Sequence, residues 1–317
     1  MNFNHKGIVL GVDDLKGDRD WISTFEQNSL DVIGVHNYPL GTPVTDVKDF
    51  VGAKRGRGLL AQAQKSGIEV EYELHVMNEL LPRKHFETNP EYFRENRFGE
   101  RVKGSNICPM SREALSIVKQ NAKELATVLR PSNSRYHLWQ DDNRKWCHCE
   151  KCSSLSFSDQ TLIVMNEIVQ GLKEVDQDAK LSYLAYLETI VPPKEIEPHD
   201  DIFLEYAPME RCFKHSISNK ECHLNRQESS RVESLLNMFG TEDSQVLEYW
   251  LDASLFYRLN DNKPREIKFY PEVLKKDLKF YEKSGFEILT TFGVCLENYI
   301  KRYGQNLIEK FSSFLES

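Results

Sequence analysis

The 317-residue sequence predicts one α/β domain over residues 1–317, a (β/α)8 TIM barrel with long βα loops at its C-terminal face. Three observations lead there. Short apolar runs alternate with longer amphipathic segments eight times along the chain. Helix-to-strand links are short, whereas several strand-to-helix links are long. No internal repeat, low-complexity tract or Pro/Gly/Ser-rich linker divides the chain.

In order, the strand candidates are "GIVLGV" from Gly7, "DVIGVH" from Asp31, "IEVEYELH" from Ile68 and "RYHLWQ" from Arg135, then "KLSYLAYL" from Lys180, "DIFLEYA" from Asp201, "QVLEYW" from Gln245 and "FEILTTF" from Phe286. Helical spacing is clearest in "SREALSIVKQNAKELATVL", where Ala114, Leu115, Val118, Ala122, Leu125 and Leu129 fall on one face. It recurs in "SDQTLIVMNEIVQGLKEV" through Leu162, Met165, Ile168, Val169 and Leu172. "KSG" precedes both Ile68 and Phe286 as a short return link. The connection from His75 to Ser111 is about 35 residues, far longer than packing alone requires, and connections of that length usually carry function. It emerges at the rim where barrel enzymes keep their sites, as do the extended connections after strands four, six and seven.

Composition narrows the partners. Acidic residues outnumber basic ones 49 to 41, for a net charge of −8, and no dense Lys/Arg cluster interrupts the pattern. Nucleic acid and anionic membrane are therefore poor partners. The start "MNFNHKGIVLGVDD" has too short an apolar run for a signal sequence. No segment approaches the roughly 18 apolar residues of a membrane span, so the expected location is cytoplasmic. Seven cysteines, three of them within six positions, favour a metal or free thiols over a disulfide framework.

Asp141 and Asp142 end the fourth strand, where alternation sends one toward the barrel mouth and the other toward the wall. Two carboxyls in unlike surroundings can divide proton donation from charge stabilisation; an Asp-Asp-Asn turn would equally explain them. Glu248, Trp250 and Asp252 alternate along strand seven. If that face is inward, they offer a sugar two acids and a flat aromatic surface, and otherwise they are a buried acid and a core Trp. Strand three places Glu69, Glu71, Glu73 and His75 on one face, expected inside, with Glu73 and His75 nearest the rim as binding candidates. Tyr186 and Glu188 end strand five, and Glu205 lies on strand six ahead of Glu210, Arg211 and His215. Cys147, Cys149 and Cys152 form CxCxxC, a spacing that suits a structural zinc, with Cys108, His148, Cys212 or Cys222 as fourth ligand. Free packed thiols and a redox CxxC are the alternatives. No Gly-rich phosphate loop, GxSxG elbow or HExxH occurs.

Several blocks resemble one bacterial family. These are "ELHVMNELLPRKHFETNPEYFRENRFGERVKGSNICPMSREA", "QDDNRKWCHCEKC", "APMERCFKHSISNKECHLN" and "EYWLDAS". Together they resemble domain-of-unknown-function family 4838, whose characterised members sit in glycoside hydrolase family 163, endo-β-N-acetylglucosaminidases acting on N-glycans. The resemblance runs from about residue 68 to 300. It implies a glycosidase-like barrel similar in plan to family 20 hexosaminidases and family 67 α-glucuronidases. In family 20 an Asp polarises the substrate's own N-acetyl group for attack on the anomeric carbon, and the following Glu protonates the leaving oxygen. Asp141 and Asp142 occupy the comparable strand end here, the second acid one methylene shorter.

The resulting expectation is a retaining glycoside hydrolase for N-acetylhexosamine-containing oligosaccharides. Asp142 is the expected general acid/base and Asp141 the substrate-orienting acid. Glu248 is the nucleophile candidate should the enzyme supply its own. Glu73, His75, Tyr186, Trp250 and Asp252 are expected to line the sugar site. The rival expectation is a non-catalytic glycan-binding or zinc-stabilised barrel.

Overall fold

Every apolar run becomes a strand of one closed parallel sheet. In a computed structural model, which describes residues 3–38, 43–143, 145–256, 265–304 and 306–316, eight strands pair in chain order and the last pairs with the first. They are β1 (His5–Gly11), β2 (Val32–His36), β3 (Glu69–His75), β4 (Arg135–Trp139), β5 (Lys180–Ala185), β6 (Ile202–Tyr206), β7 (Gln245–Glu248) and β8 (Ile288–Phe292). This is the TIM-barrel arrangement. Strand β7 stops two residues before the end of its apolar run, which matters for the site.

Helices cover the outside of the sheet. Helix Arg112–Val128 starts at Ser111, whose side chain accepts the Ala114 N–H, and helix Phe157–Lys173 starts at a Ser156/Asp159 capping box. All the apolar positions picked out by their spacing are buried. The two helices pack so closely that a Cβ on Gly171 would overlap the Lys119 carbonyl oxygen. The return links before β3 and β8 end on Gly67 and Gly285, both left-handed at φ 68° and 93°, which lets the helix stop within one residue. One unit departs from strict βα alternation: after β5 the chain makes only the 3-10 turn Leu187–Ile190 before reaching β6. The outer face of β5 is covered by helices from neighbouring units, with Tyr183 stacked on Phe239 at 4.6 Å.

The barrel interior is unusually polar at its lower levels. As expected from alternation, Glu71 and Glu73 point inward while Val70, Tyr72 and Leu74 pack outside. Arg135 on β4 bonds Glu71 (2.9 Å) and Gln245 (2.6 Å) and lies over the Phe203 ring. One level up, His137 sits between Glu205 (3.0 Å) and Glu71 (3.3 Å) with no solvent exposure. Burial alone would lower the His137 pKa, but the two carboxylates outweigh it and raise it to about 10, so the ring is an imidazolium. Above this charged plug an apolar layer contains Val9, Trp139, Leu184, Leu247 and Phe292. No helix among the described residues is long and apolar enough to cross a membrane.

Candidate active site

The strands deliver an open pocket, with an enclosed volume of about 100 Å³, to the C-terminal mouth directly above the apolar layer. Trp139 and Phe292 form the floor, 6.2 Å apart in an edge arrangement, and Tyr249 stacks on Phe292 at 5.3 Å. The Trp139 indole N–H donates to Glu205 (2.7 Å), so the charged plug below fixes the ring above. His36 and His75 form one wall, their centroids 5.8 Å apart. Each uses Nδ1 toward a backbone carbonyl, His36 to Glu73 and His75 to Gln140, both at 2.6 Å. A carbonyl only accepts, so both Nδ1 atoms carry a proton. Burial, then the neighbouring His75, lowers the His36 pKa to about 3, so that ring stays neutral.

Among the described residues two carboxyls line this pocket, Asp142 and Asp252. Asp142 accepts the Tyr186 hydroxyl at 2.8 Å. Asp252 is 4% exposed and accepts the backbone N–H and hydroxyl of Ser254 (2.8 and 2.6 Å). Burial outweighs those hydrogen bonds and pushes Asp252 up to about 6. Tyr249 lies within reach of both fields. Burial first, then Tyr186, Asp252 and Asp142, holds its phenol well above its ordinary range, so it remains a proton donor.

Four of the eight expected chemistry-bearing side chains meet here: Asp142, His75, Tyr186 and Asp252. The other four do not. Asp141 turns to the wall, where its Oδ2 accepts Arg83 (2.8 Å) and the Asn106 backbone N–H (2.7 Å). Glu73 is fully buried beneath the pocket, its carboxyl over Gly34, where a Cβ would come within 2.8 Å of Oε1. Neither carboxyl oxygen has a hydrogen-bond partner among the described residues. Burial, reinforced by Glu205, raises its pKa well above normal, so it is a neutral acid.

Glu248 and Trp250 are corrections of orientation. The inward residues of β7 are Gln245, which bonds Thr290 on the adjacent β8, and Leu247, so Glu248 faces the helices. There it is fully buried against Arg211 and the Tyr281 hydroxyl (2.5 Å), and Arg211 continues to Asp277 (2.6 Å) on helix Pro271–Ser284. Trp250 packs beside it on Tyr281 and Phe311. Asp252 reaches the pocket although it shares their parity, because the chain has left the strand after Glu248. Sequence reasoning missed His36, Trp139 and Tyr249. The first two were accessible from alternation at the ends of β2 and β4, and Tyr249 required knowing which face of β7 is inward.

A family model described as a domain of unknown function, DUF4838, matches residues 51–310. The chain belongs to the DUF4838 family. No curated protein sequence matches it significantly. Among solved structures, this DUF4838 chain is similar to a cold-adapted β-galactosidase from Rahnella sp. R3 (TM-score 0.60, 12% identity), over 100% of its own length and 56% of that chain. It is also similar to cellulose synthase subunit Z of Clostridioides difficile (0.52, 11%, covering 99% of each chain). A third likeness is to the tandem family 20 catalytic modules of the pneumococcal exo-β-D-N-acetylglucosaminidase StrH (0.53, 10%, covering 98% and 84%). The chain therefore spans little more than half the length of the β-galactosidase. At these identities the likeness is one of fold, a (β/α)8 barrel.

The CxCxxC thiols of this DUF4838 chain lie outside the pocket, on the loop after β4. Cys147, Cys149 and Cys152 are buried and meet Cys108 from the loop after β3, with all four sulfurs within 4.8 Å of one another. The remaining fourth-ligand candidates lie elsewhere. Cys212 and Cys222 gather around His215 after β6, and the His148 ring packs edge-on to Phe157.

Proposed function

We propose that this chain is a glycoside hydrolase for N-acetylhexosamine-containing oligosaccharides, working by a retaining, substrate-assisted route. One observation carries the reading: two carboxyls with unlike surroundings, Asp142 and Asp252, line a single aromatic-walled pocket at the barrel mouth. Environments that push two acids apart assign their roles. Asp252, whose pKa burial raises to about 6, is the general acid, and it gives its proton to the glycosidic oxygen as the bond to the anomeric carbon breaks. Asp142, oriented by the Tyr186 hydroxyl it accepts, takes the acetamido N–H and faces the positive charge that develops as the acetamido oxygen attacks that carbon. The Asp252 carboxylate then takes a proton from the water that opens the cyclic intermediate. Trp139 and Phe292 supply apolar surface for the acetamido methyl and the C–H face of the ring. The resemblance to glycoside hydrolase family 163 supports the N-acetyl sugar, and the fold likeness to StrH is compatible with it.

A second reading, a glycan-binding barrel without turnover, is favoured by the withdrawal of Asp141 to Arg83, since the neighbouring acid pair is not presented jointly. Aryl N-acetyl-β-glucosaminides and small chitooligosaccharides separate the two. The hydrolase reading expects turnover of both by the wild-type protein, loss of both in Asp142→Asn, and loss of chitooligosaccharide turnover in Asp252→Asn. Unchanged rates in both variants would remove the pair from the mechanism, and binding without turnover by the wild type would establish the second reading.

A further inference from the structure

We propose that Cys108, Cys147, Cys149 and Cys152 hold one zinc ion as a closed four-thiolate site that clamps the two loops framing Asp141 and Asp142. The site is independent of the hydrolase reading. The sulfurs come from sequence positions 41 and 44 residues apart as well as from one short motif, and all four residues are at most 5% exposed. Cys108 Sγ lies 3.8 Å from Cys149 Sγ and 3.9 Å from Cys152 Sγ. A tetrahedral zinc with Zn–S bonds of about 2.3 Å has sulfur–sulfur edges of about 3.8 Å, whereas a disulfide needs about 2.05 Å. All four cysteines are free. Four thiolates close the coordination sphere and leave no position for water, so the ion is structural.

The surroundings suit a thiolate cluster. The Glu95 backbone N–H donates to Cys147 Sγ (3.3 Å), and the Arg101 guanidinium lies 3.8 Å from the same sulfur, offsetting the charge that four thiolates leave on a divalent ion. Gln160 holds the Cys147 backbone from both sides, its Oε1 accepting the N–H (3.1 Å) and its Nε2 donating to the carbonyl (3.0 Å). The clamp reaches the pocket through Asn106, two residues before Cys108. Asn106 donates its backbone N–H to Asp141 (2.7 Å), accepts the Asp141 N–H (3.0 Å) and donates from its side chain to the Lys145 carbonyl (2.9 Å). Ser105 and Asn106 both sit at positive φ, 67° and 29°, a conformation that the surrounding contacts must hold. Metal at the thiols fixes both flanks of the Asp141–Asp142 turn.

Elemental analysis of the full chain, purified without chelator, tests this directly. One zinc per chain is expected, and cobalt exchanged into the wild-type protein should show sulfur-to-metal charge transfer with tetrahedral d–d bands. Cys108→Ser should bind zinc at least tenfold more weakly, whereas the double variant Cys212→Ser/Cys222→Ser should keep one zinc. Stripping the wild type with a strong chelator should lower its Tm, and zinc should restore it. Substoichiometric metal together with no charge-transfer spectrum overturns the site, as does loss of the single zinc in the Cys212/Cys222 variant. If Cys108→Ser does not fold, the wild-type stoichiometry and cobalt spectrum decide.

Discussion

His137 Nδ1 and Glu205 Oε2 lie 3.0 Å apart at the centre of the barrel, where neither side chain has any solvent exposure. The same imidazolium faces Glu71 at 3.3 Å, so it is shared by two buried acids, of which Glu71 also pairs with Arg135 at 2.9 Å. Burial works against ionisation of Glu71, but His137 and then Arg135 outweigh it and hold its pKa well below the ordinary range. Replacing His137 by Leu removes the shared cation and leaves Glu205 without its charged partner, while Glu71 keeps Arg135. Breaking a buried pair in this way costs about 3–5 kcal/mol, and urea denaturation should show it as a lower midpoint. A loss below about 1 kcal/mol would mean that the acids do not depend on the imidazolium.

Glu248 and Trp250 should behave as structural residues. Glu248→Gln breaks the buried contact with Arg211, so a stability loss of about 3 kcal/mol is expected, with kcat per folded molecule nearly unchanged. Trp250→Ala should cost about 3–5 kcal/mol and leave KM alone. Steady-state kinetics normalised to the folded fraction checks both, and a folded but inactive Glu248→Gln enzyme would contradict the outward orientation.

Asp252 sets the expected pH dependence. As a general acid it must be protonated, so kcat/KM should fall as pH rises through about 6, and Asp252→Asn should abolish that limb. Its folded pKa is raised above the unfolded value, so its stabilising contribution is complete below about 4 and is lost as pH climbs through about 6. Leaving groups sharpen the assignment. Aryl glycosides with acidic phenols need little protonation and should partly escape the Asp252→Asn defect while remaining sensitive to Asp142→Asn. Equal losses on both substrate types would reverse the assigned roles.

Tyr186 donates to Asp142 at 2.8 Å, and its hydroxyl lies equally close to the Met209 sulfur. Tyr186→Phe keeps the ring and deletes the donor. A hydrogen bond to a charged group contributes about 1.5–3 kcal/mol, which predicts a roughly ten- to hundredfold fall in kcat/KM at unchanged Tm. An effect on KM alone would indicate a contact with the sugar instead of support for the carboxylate.

The eight strands, the amphipathic faces of Arg112–Val128 and Phe157–Lys173, and the long loops were legible in the sequence because each depends on local periodicity. The acids ending β4 and the thiols after them were equally visible as residue types, as was the inward face of β3. Their partners were not. Asp141 and Asp142 are identical in type, and only the Asn106 and Arg83 contacts from a loop some 35–60 residues earlier separate the wall residue from the pocket residue. Alternation on β7 showed that Glu248 and Trp250 share a face, but a period of two does not say which face is inward. That was settled by Gln245 bonding Arg135 and Thr290 inside the barrel while Arg211 and Asp277 waited outside. Likewise CxCxxC was local, and Cys108 joined it through the packing of one loop on another. Sequence periodicity determined the elements and their order, since these arise from contacts between near neighbours; closure of the barrel decided which side chains share the mouth, because that depends on residues far apart in the chain.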